Sequence, residues 1–324
     1  MKLFKSMFML VAILIIFTLS LMGCGGGSGG GGISYTGLTT PATINAQNAV
    51  PLATGAYFLG EYGVYIPFSV APIEEDTQNK SPRALIIAHM LEKSLRSVEV
   101  PSLARGDSSF SAVVTDSSTI FGNCGGSATY TITVNDITGD FNGTYNFNSY
   151  CEDDVTASGF MSFSGIINLS NFEFIHLHCS FNNLVFVIDG ESFAIAGTLS
   201  YSFSTAVSME IDMDIYVQYS STGTVYWANN YAMTLDEGTN YIQCALSGKY
   251  YDPDYGYVMV STPIHFVIYN GDYWPTDGIL IITGDGGAMA RLTVLSGTEF
   301  QVEADTNGDG TYNWDSGVLE WDNF

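Results

Sequence analysis

Apolar and polar side chains alternate every second residue from about residue 108 to the end of the chain. The longest run sets Val207, Met209, Ile211, Met213, Ile215, Val217 and Tyr219 against Ser208, Glu210, Asp212, Asp214, Tyr216, Gln218 and Ser220. A period of two buries one set and wets the other, which marks antiparallel strands. Phe193, Ile195, Gly197, Leu199, Tyr201 and Phe203 continue the pattern. Further strands are predicted at about 158–169, 172–188, 224–235, 240–250, 256–269, 278–283, 289–296 and 299–304. Long strands and short polar turns predict an all-β fold. The expected form is a large antiparallel meander sheet, as a half-barrel or barrel, with one N-terminal amphipathic helix.

One hairpin fixes its own register. Tyr130, Ile132 and Val134 alternate with Thr129, Thr131 and Thr133, while Phe141, Gly143, Tyr145 and Phe147 alternate with Asn142, Thr144, Asn146 and Asn148. Asn135 to Asp140 supplies the turn. With Val134 opposite Phe141, Tyr130 faces Tyr145 and Cys124 faces Cys151. The register therefore predicts a Cys124–Cys151 disulfide, which leaves Cys179 and Cys244 to form a second, long-range bridge.

Upstream the pattern changes. Thr40-Pro41 and Val50-Pro51 interrupt any long helix, and Glu74-Glu75-Asp76 reads as a solvated turn. Ser81-Pro82 is a helix start, with serine at the cap and proline in the first turn. A helix is predicted over about 82–97, its stripe formed by Leu85, Ala88, Leu91 and Leu95 and widened by Ile86, Ile87 and Met90. Lys93 and Arg96 suit its C-terminal end. Its apolar width favours packing on the β body over lying on a membrane.

Residues 1–23 have the three parts of a secretory signal: Lys2 and Lys5, the apolar run Met7 to Met22, and a small residue before Cys24. Leu21-Met22-Gly23-Cys24 resembles the lipobox of bacterial lipoproteins. The resemblance implies cleavage after Gly23 and lipidation of Cys24, with palmitate or a similar acyl chain on the new amino group. It also implies, since Gly25 is not Asp, an outer-membrane destination in the cell envelope. Gly25 to Gly32, all glycine except Ser28, is a flexible tether of about 15 Å by the random-coil rule. The chain thus divides into a signal (1–23), a lipidated cysteine and tether (24–40), an N-terminal segment (41–107) and a β domain (108–324).

Removing the signal takes away two of the nine Lys+Arg and none of the 33 Asp+Glu, so the mature chain carries a formal charge near −26. A phosphate-binding surface needs cations, so nucleic acid is excluded as a partner. Five of the seven remaining cations, Lys80, Arg83, Lys93, Arg96 and Arg105, fall in one short stretch.

Candidate chemistry concentrates at the C-terminus. Asp305-Thr306-Asn307-Gly308-Asp309-Gly310-Thr311 resembles the D-x-[DN]-x-[DN]-G core of calcium loops. The resemblance implies side-chain oxygens from Asp305, Asn307 and Asp309 and the Thr311 carbonyl around a structural Ca2+. Ser316 stands where the bidentate glutamate belongs, so Asp315 is the expected substitute, with Asn313 beside it. His176-x-His178 puts two imidazoles on one strand face, with Cys179 on the other. Tyr250-Tyr251-Asp252-Pro253-Asp254-Tyr255-Gly256-Tyr257 is an acidic aromatic turn of a kind that can stack on sugars. No Ser/His/Asp or Cys/His set has catalytic spacing.

The lipobox and tether, the Ile33-Ser34-Tyr35-Thr36-Gly37…Pro41-Ala42-Thr43-Ile44 segment and the Pro275-Thr276-Asp277-Gly278…Trp321 ending together resemble a group of uncharacterised bacterial lipoproteins. The resemblance brings no activity. The expectation is a non-enzymatic envelope lipoprotein, structural or ligand-binding, joined to the membrane by its lipid. A half-barrel carrier of an apolar ligand is the alternative, and a polysaccharide hydrolase a remote third; a glycan is the other candidate ligand.

Overall fold

The computed structural model describes residues 32–64, 113–170, 174–188, 190–205 and 208–323. Cys24, the tether up to Gly31 and the helix expected at 82–97 lie outside them. Fourteen strands follow one another in a single antiparallel meander. The first seven are β1 (Val114–Phe121), β2 (Gly125–Val134), β3 (Asp140–Glu152), β4 (Val155–Ile167), β5 (Phe174–Ile188), β6 (Glu191–Thr205) and β7 (Ser208–Tyr219). They continue as β8 (Val225–Glu237), β9 (Tyr241–Asp252), β10 (Gly256–Tyr269), β11 (Asp277–Thr283), β12 (Met289–Ser296), β13 (Glu299–Asp305) and β14 (Trp314–Glu320). Spatial order equals sequence order, and β1 and β14 do not pair, so the sheet is an open half-barrel.

The alternation seen in the sequence sorts the two faces. On β7, Ile211, Met213, Ile215 and Val217 are buried while Glu210 and Asp212 are exposed. The inner face of the sheet carries the core, including Tyr130, Tyr145, Phe163, Leu177, Leu199, Leu246, Leu280, Leu292 and Phe300. Trp321, in a short 3-10 turn after β14, closes one end of it, stacked on Phe300 at 4.2 Å and Trp274 at 5.3 Å.

The β2–β3 register is as expected, with Val134 opposite Phe141 and Tyr130 opposite Tyr145. At the end of the hairpin away from its turn a bulge shifts the pairing, so Gly125 and not Cys124 faces Cys151. The disulfide Cys124–Cys151 forms all the same, with the two Cα atoms 5.1 Å apart. It closes a loop 27 residues apart in sequence, worth about 3–4 kcal/mol in the chain-entropy picture.

The second expected bridge is corrected: Cys179 and Cys244 are not joined. Cys179 lies on β5 opposite Leu199, and Cys244 on β9 opposite Phe266. Four strand spacings, about 19 Å along the sheet, separate them, far beyond the reach of a disulfide. An even count of cysteines after Cys24 does not mean that every one pairs. Burial pushes the Cys179 thiol up to about 12, so it behaves as a small core hydrophobe.

A helix stands where Val50-Pro51 had suggested a break. α1 (Ala49–Val64) accommodates Pro51 in its first turn, where a missing N–H costs nothing. Its start is organised by asparagines: the Gln47 N–H donates to Asn45 Oδ1 at 2.8 Å, and the Asn45 N–H to Asn48 Oδ1 at 2.8 Å. The helix lies against the inner side of β7–β9 and β11–β13 and buries Leu52, Ala53, Ala56 and Leu59. Gly55 is needed there, because a Cβ would occupy the place of the Tyr250 hydroxyl. Residues 33–44 reach this position around the rim of the sheet. The Leu38 N–H donates to the Pro253 carbonyl at 3.1 Å, the Ala42 N–H to Tyr257 at 2.8 Å, and the Asp285 N–H to Ala42 at 2.7 Å. The described parts of Ile33–Phe324 thereby belong to one compact unit.

Candidate ligand groove on the outer face

The outer face of the first six strands differs from the rest of this acidic chain. β2, β4 and β5 contain no Asp, Glu, Lys or Arg, and in β3 and β6 only the terminal residues Asp140, Glu152 and Glu191 are charged. Register carries small polar side chains straight across the strands. Ser117, Thr131, Thr144, Ser162, Ser180 and Thr198 form one row, and Thr133, Asn142, Ser164, His178 and Ser200 a second. Both rows end at β7, where Asp214 and Asp212 begin the acidic side.

These rows line an open groove of about 390 Å3 across β2 to β5. Thr131, Thr133, Asn142, Thr144, Ser162, Ser164 and His178 surround it, with Gly143 and Phe163 at its floor. Gly143 makes the floor thin: a Cβ there would run into the Phe163 ring and the Thr131 carbonyl. His178 is oriented by Ser200, whose Oγ is 2.8 Å from Nδ1, and His176 by Ser202 at 3.2 Å. Each imidazole thus has a serine beside it, and Cys179 points to the core as expected. The groove can donate and accept hydrogen bonds at many points without presenting a charge.

The aromatic turn is built differently. Tyr216, Trp227, Tyr251 and Tyr257 stand side by side on β7, β8, β9 and β10. Trp227 stacks on Tyr251 at 4.4 Å and on Tyr216 at 5.3 Å, so the rings turn their faces on one another. Tyr35 packs on Trp227 and Tyr251 at 5.8 and 5.6 Å and donates its hydroxyl to the Asp252 carbonyl at 2.8 Å. Burial and the neighbouring Asp252 raise the Tyr35 pKa well above the ordinary tyrosine value. Lys249 covers Tyr257 with its ammonium 4.8 Å from the ring centre, and the Trp227 Nε1–H donates to Asp214 at 2.7 Å. The row fastens the N-terminal segment to the sheet.

The calcium-type loop closes on itself. Asp305 is buried, and its Oδ1 accepts from the N–H groups of Asn307, Gly308 and Asp309 at 3.3, 2.8 and 3.3 Å. Its Oδ2 accepts from the Gly310 N–H at 2.7 Å. Asp309 accepts from the Thr311 N–H at 2.8 Å, and that bond, with one from the Asn307 side-chain amide, holds its carboxyl below the usual range. Asn313 accepts from Thr306, and Asp315 from the Gly317 N–H at 2.9 Å on β14. Among the described residues no three His, Cys, Asp or Glu converge as a metal cage.

Sequence reasoning passed over the groove. Its signal was present, since pairing Val134 with Phe141 also aligns Thr131 with Thr144, but serine and threonine on a wet face look unremarkable one strand at a time. No family model, no curated protein and no solved structure matches the chain.

Proposed function

We propose that this chain is a non-enzymatic envelope lipoprotein, tethered to the membrane through Cys24, that binds a ligand on the outer face of its sheet. The observation that supports this reading is the uncharged groove across β2 to β5, set in a body that is otherwise strongly acidic. The tether serves the same end, because a glycine-rich linker lets the body turn freely above the bilayer. A carrier of apolar ligands would draw support from an empty concave face. Here that face is lined by buried rings, and α1 lies against β7–β9 and β11–β13.

The test has two arms. Metabolic labelling with a palmitate analogue is expected to mark the wild type in the envelope fraction and to be lost in Cys24→Ser. Hydrogen exchange on the lipidated protein, with soluble saccharide, lipid and peptide fractions of the envelope added in turn, is expected to show protection on β2–β5. Absence of label in the wild type sinks the anchor. Absence of protection with every fraction sinks the binding role.

A further inference from the structure

The groove's chemistry narrows its ligand, and resting on the binding role above, we infer that it takes a neutral, polyhydroxylated molecule, a short uncharged saccharide. The argument is one of exclusion followed by fit. Among the described residues an anionic ligand would find no lysine or arginine in the lining, and it would be repelled by a mature chain of net charge near −26. A cationic ligand would find no carboxylate there, while the carboxylates of Glu210, Asp212 and Asp214 on β7 would draw it away from the groove. An apolar ligand would strip water from hydroxyl and amide groups and return no hydrogen bonds, at about 1–3 kcal/mol for each group left unpaired.

What fits is a ligand bearing hydroxyls at close intervals. Thr131, Thr144 and Ser162 lie on successive strands, about 4.8 Å apart; the Thr131 hydroxyl donates to Ser117 and can still accept, while those of Thr144 and Ser162 can do both. Asn142 adds a carbonyl and an amide, and His178, held at Nδ1 by Ser200, has Nε2 remaining for the ligand. The four strands β2 to β5 span about 14 Å, the scale of a short oligosaccharide.

The experiment is isothermal titration of the full-length lipidated protein in detergent with three neutral probes, maltohexaose, cellohexaose and chitohexaose, and one anionic probe, a heparin hexasaccharide. At least one neutral probe is expected to bind and the heparin fragment not to. Ser162→Trp, which fills the groove from an outward position, is expected to weaken binding by about tenfold or more with the melting temperature unchanged. Thr144→Ala is expected to weaken it less, and Asp212→Asn on the adjoining acidic strand to leave it intact. Equal binding of heparin, failure of all three neutral probes, or binding indifferent to Ser162→Trp each overturns the assignment. If a lipid or peptide fraction protects β2–β5 while all neutral saccharides fail, the ligand class falls and the binding role stands.

Discussion

Two buried tyrosines show how much a single hydroxyl depends on where it points. The Tyr231 hydroxyl, wholly buried on β8, donates to the Ala56 carbonyl of α1 at 2.7 Å and so pins the helix to the sheet. The Tyr201 hydroxyl on β6 is just as buried but meets no hydrogen-bond partner among the described residues. Removing a satisfied buried hydroxyl costs about 1 kcal/mol, whereas removing an unsatisfied one relieves a desolvation penalty of similar size. Tyr231→Phe is therefore expected to lower stability by about 1 kcal/mol, and Tyr201→Phe to leave it unchanged or raise it. Urea unfolding of the two variants separates the cases, and an equal loss in both would mean that Tyr201 does have a partner. Neither role could be read from the sequence, where both residues are simply apolar-face members of an alternating run.

At the scale of elements, what the sequence reveals depends on whether one face differs from the other. β7 and β13 were legible almost to the residue because one side is apolar and the other polar, and β10–β12 because turn residues such as Asp254, Gly271, Pro275 and Gly284 bound their apolar runs. β1 was missed: Thr115, Ser117 and Thr119 alternate only with Asp116, Ser118 and Ile120, as suits an edge strand. α1 was missed for the opposite reason, since AVPLATGAYFLGEYGV is apolar nearly all round and shows no helical stripe. The Asp305 loop was seen, but its motif names side chains and not what they bond. Its carboxylate accepts from four N–H groups of a largely exposed loop, so Asp305→Ala is expected to cost about 2 kcal/mol by removing those charge-assisted bonds. Differential scanning fluorimetry with calcium or chelator then distinguishes two loops. A self-closed loop gives the same melting temperature in both. A loop that rearranges around calcium gives a rise that grows with the logarithm of its concentration.

For the molecule as a whole, an acidic surface and a tyrosine-rich core set its response to pH in different ways. Burial raises the pKa values of Tyr201, Tyr231 and Tyr250 well above 10.0, the last helped by Asp252, and that of Cys179 from 9.0 to about 12. In the unfolded chain these groups ionise at their ordinary values, so between pH 9 and 12 it releases protons that the folded chain keeps. Stability from this source is therefore intact below pH 9 and lost as the pH climbs toward the folded-state values. Each pH unit above the unfolded pKa removes about 1.4 kcal/mol per group. The net negative charge also opposes folding through self-repulsion, but salt screens that and does not reach the buried groups. Melting curves at high salt are thus expected to fall steeply above pH 10 still, with the tyrosinate absorbance of the buried tyrosines, a step beyond that of exposed ones such as Tyr255 and Tyr269, appearing only as circular dichroism of the sheet is lost. If salt abolished the fall, the surface would be its cause. If the full tyrosinate absorbance, buried tyrosines included, appeared while the sheet persisted, the inner face would be open to water, and a concave face open to water is what a carrier of apolar ligands would require.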